Sequence, residues 1–242
     1  MEKGSKGLFR RILSTFIPVR CAICDEVTDH PSGICPQCRE RYPVRERPIC
    51  PRCGRSISGS CECVGRPFAF DRAISLYVYT GQIAEAVLRL KREQDRYTDE
   101  AFGTLLAELV RREYGQIPLD GICLVPSSSH RKRSFGFHQC EGICQVMAKE
   151  LSLPILRNVL KDVSHRRAQH LVAFEKRWEN VSGAYRCVRP EAVKGKQLLL
   201  LDDIMTSGAS LSEVATALKK EGAEKVFCVT ICTADSSGRV AE

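Results

Sequence analysis

The most constraining stretch of this 242-residue chain is residues 198–210, Leu-Leu-Leu-Leu-Asp-Asp-Ile-Met-Thr-Ser-Gly-Ala-Ser. A short run of large aliphatic side chains suits a strand buried on both faces, as in the middle of a parallel sheet. The run gives way to two adjacent carboxylates, Asp202 and Asp203, then to a loop of Met205, Thr206, Ser207, Gly208, Ala209 and Ser210, then to helical spacing over residues 211–221. Ligands of open parallel sheets sit at the carboxyl ends of the strands. A loop feeding a helix there offers free backbone N–H groups and the positive dipole end to an anion. Gly208 lets backbone approach a phosphate closely, and Thr206, Ser207 and Ser210 add hydroxyl donors. Ionised Asp202 and Asp203 accept hydrogen bonds only, which suits a sugar diol and direct or water-mediated contact with Mg2+. Ordinary helix capping is the alternative, but a cap does not call for two acids, a glycine and three hydroxyls in nine residues.

The surrounding sequence alternates strand and helix signals. Residues 71–79, 121–126, 196–202 and 226–232 read as strands, and residues 83–91, 101–114, 140–151 and 211–221 as helices, with a polar turn at 92–100. That alternation predicts an α/β fold with a mostly parallel sheet flanked by helices.

The front of the chain has a different texture. Eight of fourteen cysteines fall in residues 21–63, as Cys21-x2-Cys24, Cys35-x2-Cys38, Cys50-x2-Cys53 and Cys61-x-Cys63. Each C-x2-C step brings two thiolates to one ion at about 2.3 Å, and two steps complete the tetrahedral set that structural zinc prefers. Pro36, Pro51, Gly54, Gly59 and Ser60 make the intervening segments turns, with too little apolar bulk to fold by burial alone. Two zinc ions are expected, one on Cys21, Cys24, Cys35 and Cys38, the other on Cys50, Cys53, Cys61 and Cys63. Sequential loops cost less closure entropy than crossed ones, interleaved pairing being the alternative. The remaining cysteines, Cys123, Cys140, Cys144, Cys187, Cys228 and Cys232, lack ligand spacing and read as small core residues.

These textures divide the chain into a short amphipathic helix within residues 1–20, a double four-cysteine module at 21–66 and an α/β domain at 67–242. The first segment has apolar residues at helical spacing over 7–16 but no export signal, and no apolar run approaches the ~20 residues that span a bilayer. A cytoplasmic protein is expected, with the basic helix packed on the module or peripheral at the inner membrane face. The net charge of +8 favours polyanions, and Arg39, Arg41, Arg45, Arg47, Arg52 and Arg55 make the cysteine module basic.

The 198–210 passage resembles the phosphoribosyl-diphosphate signature of type I phosphoribosyltransferases. The wider chain, from the Cys21 pair to about Thr233, resembles the ComF family, which joins a cysteine-rich zinc segment to a phosphoribosyltransferase-like domain and is associated with DNA uptake in bacterial competence. Tyr79-Thr80-Gly81 with Leu90-Lys91 looks like one family passage. Val125-Pro126, Arg131, Arg133 and Gly136-Phe137-His138-Gln139 occupy its pyrophosphate-loop segment, and Gln169, Arg177, Asn180-Val181 and Gly183-Ala184-Tyr185 its mobile-loop segment. Departures are Leu124, Ser127, Phe135 and His138, where the family usually has Pro, an apolar residue, Arg and Asn, and Arg166 and Ala168, where Thr and Pro are common. The pyrophosphate loop therefore lacks one guanidinium.

The resemblance implies the type I phosphoribosyltransferase fold. It also implies Mg2+ bound with phosphoribosyl diphosphate over Asp202, Asp203, the 205–210 loop, Ser127 and Ser128, with Arg131, Arg133 and Lys91 countering charge on departing pyrophosphate. Two functions share those residues: a phosphoribosyl transfer enzyme, and a non-catalytic single-stranded-DNA-binding or adaptor protein working with the DNA-uptake machinery. Base stacking in the second would draw on Phe9, Tyr42, Phe68 or Phe70.

Overall fold

The computed structural model describes residues 18–44, 49–57, 61, 63, 65, 68–127, 138–164, 178 and 181–234. The expected helix over 7–16 lies outside them, as do Ser128, Arg131 and Arg133. Four parallel strands form the main sheet in the order β1 (Arg72–Val78), β6 (Lys225–Thr233), β5 (Gln197–Met205), β2 (Gly121–Leu124). A two-stranded antiparallel hairpin, β3 (Leu160–Asp162) and β4 (Tyr185–Cys187), stands beside it. Among the described residues the α-helices are α1 (Pro36–Arg41), α2 (Gly81–Leu90), α3 (Arg96–Tyr114), α4 (Glu141–Leu151) and α5 (Ala209–Lys220). The chain is thus an α/β protein with helices on a parallel sheet.

The leucine run works as its composition demands. Leu199 and Leu201 enter one hydrophobic core with Phe227 and Val229 of β6, and Leu198 and Leu200 enter the other with Val226 and Cys228. A central strand can bury both faces because helices cover each side. Ile83, Val87 and Leu90 of α2, Phe102, Leu106 and Tyr114 of α3, and Ile143 and Met147 of α4 cover the first face. Leu211, Val214 and Leu218 of α5 cover the second. Polar groups enter in pairs at two places: the Ser75 and Thr230 hydroxyls lie 2.7 Å apart across β1 and β6, and the Tyr114 hydroxyl donates to Cys228 O at 3.1 Å.

Two boundaries differ from the sequence expectation by three residues or more. The polar turn ends sooner, because the Asp95 carboxylate accepts from the Tyr97 and Thr98 amides and starts α3 at Arg96. An N-cap outweighs the absence of apolar residues in the first turn. β5 also continues beyond Asp202 to Met205, since its ladder with β6 runs on through Ile204↔Cys232 and Met205↔Thr233. The two acids are therefore strand residues, not the start of the loop.

The cysteine module is not a separate bead. Cys21, Ala22, Ile23, Ile34, Cys35 and Cys38 belong to the first core, whereas Cys50, Cys53, Cys63, Phe68 and Phe70 belong to the second. Arg89 of α2 donates to Ala22 O at 3.0 Å and Ile23 O at 3.1 Å, and Ala73 N of β1 donates to Arg52 O at 2.9 Å.

Candidate metal and anion sites

The first four sulfurs, of Cys21, Cys24, Cys35 and Cys38, and the second four, of Cys50, Cys53, Cys61 and Cys63, each converge within 4.8 Å of one another. This is the sequential pairing favoured by closure entropy. Four sulfurs about 2.3 Å from one tetrahedral ion are about 3.8 Å apart. The separations here are 3.7 Å for Cys24 and Cys35, 3.5 Å for Cys50 and Cys63, and 3.4 Å for Cys53 and Cys61. Backbone amides already aim at sulfur: Cys35 N donates to Cys21 Sγ at 3.3 Å and Cys38 N to Cys35 Sγ at 3.4 Å. Burial opposes ionising Cys21 and Cys50, but backbone N–H groups outweigh it, leaving Cys21 below the ordinary thiol value and Cys50 lowered to about 7. In the same quartets burial and crowding by neighbouring thiols push Cys38 up, and burial foremost pushes Cys53 to about 11. Cys21 and Cys50 ionise more readily while Cys38 and Cys53 resist, a frustration that a divalent cation removes. Both quartets fit structural zinc, and neither keeps a fourth position for water.

The second site lies at the carboxyl end of β5. A cleft of about 270 Å3 is lined by Lys91, Val125, Pro126, Ser127, Gln139, Asp162, Tyr185, Asp202, Asp203, Ile204, Thr206 and Ser210. Adjacent strand residues point to opposite sides of a sheet, so Asp202 and Asp203 reach the opening differently. Asp203 is buried, takes the Lys91 ammonium at 3.2 Å and accepts from Gln139 Nε2 at 3.4 Å. Asp202 is half-buried and its carboxylate accepts the Asp203 amide at 2.9 Å. Burial, then the charge of Asp203, hold the Asp202 carboxyl well above the usual carboxylate range.

The loop after β5 is a built turn. Gly208 adopts φ +82°, and a Cβ there would meet the Phe68 ring at 2.7 Å. That position demands glycine for backbone and space together. Met205, Ser207 and Ala209 are buried, and Ser207 Oγ accepts from Ala209 N at 3.3 Å, so their side chains support the loop. Of the expected loop residues, Thr206 and Ser210 line the cleft, as do Ser127, Lys91 and the acid pair. Lys91, expected to counter charge on a leaving group, also pairs with Asp203.

Asp162 and Tyr185 escaped the sequence reading as cleft residues; they arrive on the β3–β4 hairpin, whose three-residue strands are too short to show a period. Phe68 and Phe70, expected as stacking platforms, are buried with ring centroids 4.5 Å apart, and the Tyr42 hydroxyl accepts from Gln82 N at 3.4 Å. Phe68 and Phe70 serve the core, which removes them as base platforms. Cys123, Cys140, Cys144, Cys187, Cys228 and Cys232 are all buried, as expected of core thiols.

Comparison with known families agrees with both halves of this architecture. Residues 12–77 match the double zinc ribbon domain and residues 140–242 the phosphoribosyl transferase domain, so the fold is of the phosphoribosyltransferase class with an appended pair of zinc ribbons. The chain is 31% identical over 209 residues to the DNA utilization protein YhgH of Salmonella typhimurium, covering 83% of this chain and 90% of the relative. It is 24% identical over 223 residues to Competence protein F of Haemophilus influenzae, covering 88% and 96%. The chain belongs to the ComF family of competence and DNA utilization proteins. Among solved structures it is similar, at 18% identity and TM-score 0.37, to an allosteric regulatory enzyme of purine biosynthesis; the match covers 55% of this chain and about a quarter, 26%, of that one. Among the described residues no helix is long and apolar enough to cross a membrane.

Proposed function

We propose that the cleft at the end of β5 binds phosphoribosyl diphosphate with Mg2+, and that the protein serves DNA uptake or utilization. The observation that carries the first part is the union, in one cleft, of the Asp202–Asp203 pair with a glycine-turned loop that opens α5. The described lining holds three carboxylates, of Asp162, Asp202 and Asp203, against the single ammonium of Lys91. A bare diphosphate would be repelled by that set, so a divalent cation is the natural companion of the ligand. Asp202 and Asp203 would hold the cation and ribose hydroxyls; Thr206, Ser210 and the amides of residues 206–210 would take the 5′-phosphate. Bound Mg2+ would supply Lewis-acid neutralisation of the diphosphate. Ser127, with Ser128, Arg131 and Arg133 from the adjoining segment, would face the pyrophosphate.

The relatives' names, with the net charge of +8, support the second part; its partners would be DNA-uptake proteins, met at the cytoplasmic face of the membrane. Titration calorimetry with Mg2+ and phosphoribosyl diphosphate tests the site. Binding by the wild-type chain, abolished in the Asp202→Asn/Asp203→Asn variant with the circular dichroism spectrum kept, is expected; equal binding by both removes the assignment.

A further inference from the structure

We infer that Arg55 is a positioning residue that clamps the anion loop to the second zinc ribbon, so that metal occupancy of the Cys50, Cys53, Cys61 and Cys63 site sets the loop's order. Arg55 sits two residues beyond Cys53, where the ribbon turns back on itself: Gly54 N donates to Cys50 O at 2.9 Å and Cys50 N to Arg55 O at 2.8 Å. The turn is pressed against β1, because a Cβ on Gly54, at φ +69°, would lie 2.4 Å from Ala73 O. From this fixed base the Arg55 side chain crosses to the ligand edge of the sheet. Its Nε donates to Ala234 O at 3.3 Å, one residue past β6, and a terminal nitrogen donates to Thr206 O, in the loop after β5.

The setting is unusual for arginine. Arg55 is 4% exposed, and the groups it reaches among the described residues are carbonyls, with no carboxylate among them. A buried guanidinium without a counter-ion is costly. Four thiolates around Zn2+ would carry net negative charge, and Cys53 of that set stands two residues before Arg55. The metal site therefore supplies the charge that lets Arg55 stay inside, and Arg55 passes the ribbon's rigidity to the loop. Neighbouring contacts act in the same direction: Phe68 lies against Gly208, and Ala69 N donates to Ser212 Oγ at 2.9 Å in the first turn of α5.

The inference rests on the loop being the anion site, but its test does not. In the full-length protein, amide hydrogen exchange at residues 206–210 is compared among wild type, Arg55→Lys, Arg55→Met and Cys61→Ser, with zinc per chain measured alongside. Losing a hydrogen bond to a charged group should speed local opening about 10- to 100-fold in Arg55→Met. Arg55→Lys, which retains the charge and one donor direction, should fall between, and Cys61→Ser, stripped of one zinc, should match Arg55→Met while β5 and β6 stay protected. Should Arg55→Met or Cys61→Ser fail to fold, Arg55→Lys decides alone. Wild-type exchange at 206–210 in the folded variants overturns the clamp. Failure of the wild type to bind Mg2+-phosphoribosyl diphosphate would instead sink the functional proposal, leaving the exchange result to stand by itself.

Discussion

Lys91→Met probes the ion pair on which the cleft is built. The Lys91 ammonium and Asp203 carboxylate are 3.2 Å apart, with side chains 22% and 5% exposed. At an effective dielectric constant of ~20 their attraction is about 5 kcal/mol before desolvation. Removing one partner from a buried pair typically costs about 3–5 kcal/mol. Because the ammonium still meets some water, the lower end, about 3 kcal/mol at pH 8, is expected. The loss must depend on pH. Lys91 opposes the rise of the Asp202 carboxyl, which burial and Asp203 already hold high. Without the ammonium, the Asp202 carboxyl is raised further. A folded-state pKa above the unfolded value contributes stability below the unfolded pKa and loses it as pH rises through the folded one. The deficit of Lys91→Met should therefore be largest at pH 8 and shrink toward pH 5. Urea unfolding followed by circular dichroism, with both zinc sites loaded, measures it at each pH. A deficit below about 0.5 kcal/mol, the size of an ordinary surface change, or one that does not fall with pH, would refute the reasoning.

Further outcomes follow from the same geometry. Because Asp202 must ionise to hold a cation and burial, then Asp203, raise its carboxyl well above the usual carboxylate range, affinity for Mg2+-phosphoribosyl diphosphate should fall as pH drops from 8 to 6, and calorimetry showing a flat profile would contradict this. Gly208→Ala meets both a positive φ and the Phe68 ring, so it should lose about 2 kcal/mol or more in thermal unfolding, with Phe68→Leu recovering part in the double variant; a Gly208→Ala chain as stable as wild type would show that the turn relaxes freely.

Much of the fold was legible because its signals are local. Four leucines in a row require a strand covered on both sides, and Leu198 to Leu201 divide between the two cores accordingly. Close cysteine spacing brings the members of each pair to one ion, short loops favour neighbouring pairs, and both quartets assemble in chain order. The start of α3 was missed because Asp95 acts through a side-chain cap, which carries no apolar period.

The cleft was legible only in part. The acid pair and the glycine turn announce themselves over a few residues, but Asp162 and Tyr185 come to the same opening on a hairpin closed between residues far apart in the chain. Phe68 and Phe70 look like free aromatics in a polar stretch, yet the ribbon and α5 enclose them.

The chain's own order of residues determined a parallel sheet with an acid-and-glycine turn and two metal clips, because strand burial, turn chemistry and thiolate spacing each act within a dozen or so neighbours. Only tertiary structure decided that Lys91 neutralises Asp203, that the ribbons are built into opposite cores, and that Arg55 spans from one of them to the Thr206 carbonyl. Those contacts join distant segments, and which segments meet depends on how the sheet is ordered and what each face must bury.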